Sequence, residues 1–191
     1  MESMIAQKRD FTTKAKQLRR AGIVPCVICG AELEESLAIQ IDKSTAMQLK
    51  RTKRNGSKVS VQVDGKVYPS LIKSLEYNGL KDEITHISFQ VLDAGKRCKS
   101  VAHIILLNKD KVPGVLEQMQ IEVPHIAAPE DLIDTVSVDL ADMPVGTTLT
   151  IGDIPEFQKE TIELQVDADN IVLRIRDRKR AEGREAESSL T

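Results

Sequence analysis

The sequence predicts a mainly β protein with short helices and two domains, and three observations lead there. Short runs that alternate apolar and polar side chains recur along the 191 residues, which is the period-2 signature of half-buried strands. Gly, Pro and Asp separate the runs, and these are the residues that turn a chain. Finally, the charge changes sign after "DAGKRCKS" (93–100). Residues 1–100 hold 18 Lys and Arg against 11 Asp and Glu, a net of +7, whereas residues 101–191 hold 9 against 18, a net of -9. Halves of opposite sign suit a polyanion-binding domain joined to an acidic one. The domains are therefore expected at 1–93 and 94–176. The tail at 177–191, "DRKRAEGREAESSLT", is charge and small residues throughout and is expected to be disordered.

The elements follow in chain order. In "KAKQLRRAGIVPCVICG" (14–30), Arg19 and Arg20 stand three and four residues after Lys16. One helical turn would aim all three cations to one side, with Leu18 turned inward as an anchor. Lys14 and Arg9 extend the charge. After Gly22, "VPCVIC" reads as a short, largely buried strand, and "LAIQI" (37–41) as a half-buried one. "STAMQLKRTKR" (44–54) reads as a helix, with Thr45 and Gln48 as a capping box and cations at the end the macrodipole favours. "KVSVQV" and "KVYPSLI" flank Asp64-Gly65, the pair a type I′ hairpin turn requires. Pro69 should put the second of these strands at an edge or a bulge. In "EITHISFQVL" (83–92), alternation sends Ile84, His86, Ser88 and Gln90 to one face. Beyond "DAGKRCKS" (93–100), which is short, polar and glycine-containing and is the expected linker, "VAHIILL", "MQIEV", "TVSVDL", "TLTI", "TIELQV" and "NIVLRI" read as strands of a second β domain.

Composition excludes several classes. No run approaches the ~20 apolar residues of a membrane span, and "MESMIAQKRDF" lacks a secretory apolar core. Three cysteines, an odd number, suit a reducing cytoplasm rather than a disulfide framework. Cys26 and Cys29 form a C-x-x-C, but a structural zinc site needs four ligands, and only Cys98 and the scattered His86, His103 and His125 remain. In a strand, an offset of three puts the two thiols on opposite faces. No phosphate loop, nucleophile elbow, zinc-protease or paired-carboxylate motif is present. No catalytic residue, metal, cofactor or small-molecule substrate is expected. What stands out is the basic arm, which can neutralise phosphates or pair with a guanine edge. The second cluster, "KRTKR" (50–54), reads equally as a solvated helix end or as a phosphate contact. His86 is either a structural histidine or one projecting from a barrel wall toward a ligand.

The arm also carries a resemblance. "QLRRAGIVPCVICG" resembles the Leu-Arg-Arg-x-Gly-x-Val-Pro-Ala-Val-Ile-Tyr-Gly signature of the bacterial large-subunit ribosomal proteins that bind 5S ribosomal RNA. "LAIQID", "VDGKVYPSLIKSLE", "ITHISFQVL", "VPGVLEQ" and "PEDLIDTVSVDLADMPVGTTLTIGDI" follow in the family's order. The resemblance covers roughly residues 5–175 and is to the long, two-domain CTC or general stress protein type. It implies an N-terminal β-barrel like the anticodon-binding barrels of glutaminyl-tRNA synthetase, with a β-rich second domain. It also implies docking in the minor groove of irregular 5S RNA, where shape, phosphates and base edges are read.

Position by position, Arg19 and Arg20 match family arginines, and Lys16 stands where arginine is usual. Lys73 matches the lysine after the hairpin, His86 the last barrel strand's histidine, and Ser88 stands at the aspartate beside it. With Arg9 and Lys14 these make the expected RNA-binding set. Phe11-Thr12-Thr13-Lys14 replaces a Gly-Lys-Gly, Gln17 replaces an arginine, Cys29 an RNA-contacting tyrosine and Glu76 a glutamine. The resemblance implies a non-enzymatic, cytoplasmic component of the large subunit that binds 5S rRNA and neighbouring ribosomal components, and that is monomeric when free. The departures leave an alternative, a stress-linked interaction protein of the same fold with conditional ribosome binding.

Overall fold

The computed structural model describes residues 2–10, 12–30, 33 and 35–177. The chain is mainly β and divides into two compact units, residues 1–100 with 128–130 and residues 101–127 with 131 onward. The expected charged tail lies outside the described residues from position 178.

The first unit is a closed barrel. Its strands are β1 (Glu2–Lys8), β2 (Ile23–Cys29), β3 (Leu37–Asp42), β4 (Lys58–Val63), β5 (Lys66–Asn78) and β6 (Glu83–Val91), in the order β1-β3-β2-β6-β5-β4. β2 runs parallel to β6 and β1 parallel to β4, and closure leaves no exposed sheet edge. The alternation of β4 sends Val59, Val61 and Val63 inward, where they meet Ile28, Ile39 and Phe89 in one core. β1 is a strand that sequence pattern misses. Its inward residues are Met4 and Ala6, weak strand formers, while Ile5 points outward and is 76% exposed.

Two short helices pack on the barrel, α1 (Ala15–Arg20) and α2 (Lys43–Thr52). Leu18 fastens α1, and Ala46 and Leu49 fasten α2. Gly22, at φ +78°, ends the turn after α1, and its carbonyl accepts the Lys43 N–H at 2.8 Å. That backbone bond sets where α2 begins. Asp42 precedes the helix without a side-chain cap, so Thr45 and Gln48 lie inside it and the expected capping box does not form.

Asp64 and Gly65 both have positive φ, +50° and +82°, as a type I′ turn requires. Pro69 is neither at an edge nor at a bulge. It pairs with Ser60 of β4, and its carbonyl accepts the Leu92 N–H at 2.8 Å, just past the end of β6. In an antiparallel ladder a residue's N–H and C=O face the same neighbour, so the missing donor falls where β6 has already run out. The irregularities of the β5–β6 ladder lie further along, between Ile72 and Ser74 and between Glu76 and Tyr77. Glu76 opposes His86 while Tyr77 opposes Ile84, which leaves Thr85 as an extra residue. The alternation of β6 slips there, and Ile84 turns into the core with Ile87 and Phe89 instead of sharing the face of His86.

The second unit holds β7 (Cys98–Leu107) from Val101 onward, its first three residues belonging to the first unit, with β8 (Val115–Gln118), β9 (Glu122–Ala127), β10 (Thr135–Asp139), β11 (Thr148–Thr150), β12 (Glu163–Leu164) and β13 (Ile171–Arg176). They form two sheets, β10-β7-β9-β12 and β11-β13-β8, around Val123, Leu140, Ile151, Val172, Leu173 and Ile175. β7 starts inside the expected linker: Cys98 and Ser100 are buried, and the Ser100 hydroxyl donates to the Gly56 carbonyl at 3.2 Å. The run at 119–123 is not one strand. Met119 and Ile121 are exposed between β8 and β9, because the backbone of Met119 turns to donate to the Val172 carbonyl. The expected strand at 161–166 shortens to the two residues of β12.

Candidate nucleic-acid interface

The arm leaves β1 at Lys8. Arg9 continues the ladder through its N–H, which donates to the Ala38 carbonyl at 3.0 Å, and its Nη2 donates to the Thr13 carbonyl at 3.4 Å. Between them Asp10 accepts from the Thr12 hydroxyl and N–H, and those bonds hold its carboxyl below the usual range. Phe11 lies outside the described residues. α1 then buries Leu18 and leaves Lys14, Lys16 and Arg20 exposed. Arg19 is half-buried, and its Nη1 donates to the Thr85 carbonyl at 3.4 Å. That carbonyl belongs to the extra residue of the β6 irregularity, so the bulge that turns Ile84 inward also serves as the arm's fastening point.

Beside this contact lies the outer wall of β6. His86 and Ser88 are half-buried there, with His86 Nδ1 and Ser88 Oγ 3.5 Å apart. Register partners share a face. Ser88 is accordingly flanked by Ser74 of β5 and Val27 of β2, and His86 is flanked by Glu76. Lys73 is exposed at the first irregularity, next to Ser74. The structure thus gathers Arg19, His86, Ser88 and Lys73 about one stretch of β6. Lys16 and Arg20 stand on the adjoining helix, and Arg9 and Lys14 lie along the approach to it. The chain pattern gave no sign of Thr85, because an acceptor carbonyl at a bulge exists only once two strands are in register.

The two cysteines of β2 point apart. Cys26 is inside the barrel between Ile39 and Ile87 in register, and burial pushes its thiol up to about 12. Cys29 is half-buried, and its Sγ donates to the Phe89 carbonyl at 3.2 Å. Among the described residues no group of His, Cys, Asp and Glu is arranged to hold a metal ion, and no helix is long and apolar enough to cross a membrane.

Residues 4–89 match the ribosomal L25p family, and residues 103–179 match the C-terminal domain of ribosomal protein TL5. Similar whole chains include the large ribosomal subunit protein bL25 of Bacillus licheniformis, 28% identical over 194 residues, which span 99% of this chain and 92% of that one. The bL25 of Listeria monocytogenes is 27% identical over 83% of this chain and 79% of its own. That of Caldicellulosiruptor saccharolyticus is 28% identical, with 88% and 84% covered.

Proposed function

This chain belongs to the ribosomal L25p family, and on that premise we propose that its barrel binds 5S ribosomal RNA through α1 and the outer wall of β6. The protein is a structural, non-enzymatic component of the large ribosomal subunit, and its place is the cytoplasmic ribosome. The relatives' ribosomal names favour this role and give a stress-linked interaction role no support.

The observation that carries the reading is the Arg19–Thr85 contact. It fastens the cationic helix to the residue that precedes His86 on the strand bearing the His86–Ser88 pair, so charge and hydrogen-bonding groups can serve one ligand together. A phosphate backbone meets Lys16 and Arg20, while base edges or ribose hydroxyls meet the wall. Arg19, with its guanidinium fastened, is the better placed to read a base edge. Arg20 is exposed and suits a phosphate. The second unit carries the acidic balance of the sequence, which phosphates repel. RNA binding therefore belongs to the barrel, and the second unit meets other large-subunit components.

Filter binding of the full chain to 5S rRNA across a salt series tests this. Arg20→Ala should reduce the slope of log K against log salt by about 0.7–0.9. Arg19→Ala should instead cost about 1–3 kcal/mol and blur discrimination against a mutated loop, with little change in slope. Unchanged binding in both folded variants would refute the proposed interface.

A further inference from the structure

We infer that the phosphate track does not stop at α1 but continues across the end of the barrel onto α2, where Lys43, Arg51 and Arg54 hold further backbone phosphates of the same RNA. The inference rests on the proposed 5S rRNA reading and extends it to a second element.

Residues 43–54 contain Lys43, Lys50, Arg51, Lys53 and Arg54 and no acidic residue. Helix stability accounts for only part of this. The macrodipole favours Lys50 and Arg51 in the last turn, but it disfavours a cation at the first helical position, where Lys43 stands. Arg54 lies beyond the helix altogether. Among the described residues, ion pairs do not absorb the charge of Lys43, Arg51 and Arg54 either. Asp82 faces Lys50, Lys43 and Arg51 together, one carboxylate for three cations. Asp82 is itself engaged by the Tyr77 hydroxyl and by Lys50 at 3.8 Å. The Lys50 ammonium also sits 3.0 Å from the centre of the Tyr77 ring. Lys50, Tyr77 and Asp82 thus brace one another, and the exposed Lys43, Arg51 and Arg54 remain as surface charge.

The two cationic surfaces are joined. The Gly22 carbonyl that closes the turn after α1 accepts the first N–H of α2. Arg19 is fastened to Thr85, three residues from Asp82, so at most about 10 Å of backbone separates the two. A nucleic-acid strand carries a charge about every 3.4 Å of its axis, so roughly three phosphates bridge that interval. One continuous RNA backbone is the ligand whose charge spacing fits both ends.

The test uses the full chain as wild type, as Arg19→Ala with Arg20→Ala, and as Lys43→Gln with Arg51→Gln and Arg54→Gln. Each is titrated with 5S rRNA across salt and mapped by hydroxyl-radical footprinting. With 0.7–0.9 per phosphate, the α2 variant should flatten the salt slope by about 2–2.7 and bind roughly 50- to 150-fold more weakly at 0.15 M salt. It should lose protection at phosphates adjoining, but not coinciding with, those lost in the α1 variant. The charge-conserving Lys43→Arg, Arg51→Lys, Arg54→Lys chain should keep the wild-type slope, and equal melting temperatures confirm the fold. An α2 variant with wild-type slope and footprint, beside an α1 variant that fails to bind, overturns the α2 track and leaves the 5S reading standing. The helix end would then be free for an acidic protein surface. A wild type that ignores 5S rRNA overturns both.

Discussion

At the scale of single residues, the wall proposed to meet RNA carries a charge that would oppose it. Glu76 of β5 is the register partner of His86, so a carboxylate stands on the face proposed to bind RNA. At high dielectric, an exposed charge a few ångström from a phosphate costs somewhat less than about 1 kcal/mol. Glu76→Gln should therefore tighten 5S rRNA binding about threefold, with the gain shrinking as salt rises; tighter binding absent at low salt would mean that RNA does not reach this face. The cysteines differ in a checkable way. Cys26 is buried with its thiol raised to about 12, whereas Cys29 is partly accessible. Cys26→Ser should cost on the order of 1–3 kcal/mol, because a hydroxyl replaces a thiol in an apolar interior where the acceptor of the thiol, the Val24 carbonyl, is 3.6 Å away, too far for a good O–H bond. Cys29→Ser should cost well under 1 kcal/mol, since a hydroxyl can still donate to the Phe89 carbonyl. Denaturant melts of the two single variants decide it, and neither purified protein should carry zinc.

Besides buried anchors such as Leu18 and Leu49, hydrogen bonds to backbone carbonyls fasten elements to one another. α1 is tied to β6 by a guanidinium on a carbonyl, and its following turn to α2 by an N–H on a carbonyl. In the second unit the comparable fastening is His125 of β9, which is fully buried. Its Nδ1–H donates to the Val123 carbonyl at 3.3 Å, and its Nε2 accepts the Ile133 N–H at 3.3 Å. Both bonds require the neutral ring, because a protonated Nε2 becomes a donor facing a donor. Burial lowers its pKa below the usual 6.5, with the Val123 bond and the Asp134 carboxylate opposing that shift. The unfolded chain then binds the proton more readily than the folded one, so stability is full above about pH 6.5 and falls as pH drops below it. The slope is at most about 1.4 kcal/mol per pH unit for one group. Thermal melts at pH 7.5 and 5.5 should show the second unit's transition moving down in acid, and His125→Gln should remove that pH dependence while lowering the transition at both values. A wild-type transition that holds still would show the ring is not the fastening.

For the whole molecule the question is whether charge asymmetry divides labour. Residues 1–100 carry +7 and residues 101–191 carry -9. A chain cut after Ser100 should keep 5S rRNA binding within about threefold of the full length, while 101–191 should not bind at 0.15 M salt, where exposed charges are screened beyond about 8 Å. The cut belongs after Ser100 rather than after Asp93, because Ser100 is buried and bonded to Gly56. Equal binding by the two halves would refute the division.

Much of this was legible in the chain. The β class, the Asp64-Gly65 hairpin, the cationic turn at 16–20, the opposite faces of Cys26 and Cys29 and the family's motif order all reside in local pattern, and local pattern survives without partners. What the tertiary structure alone decided depends on register. The slip at Thr85 turned Ile84 inward and supplied Arg19's acceptor, β1 became a strand through pairing with β4 despite an exposed Ile5, and the start of α2 followed from a bond to Gly22 rather than from a capping box. A sequence records which face each residue prefers, but a bulge changes face without changing preference. Only the closure of β6 against β2 and β5 fixes where it falls.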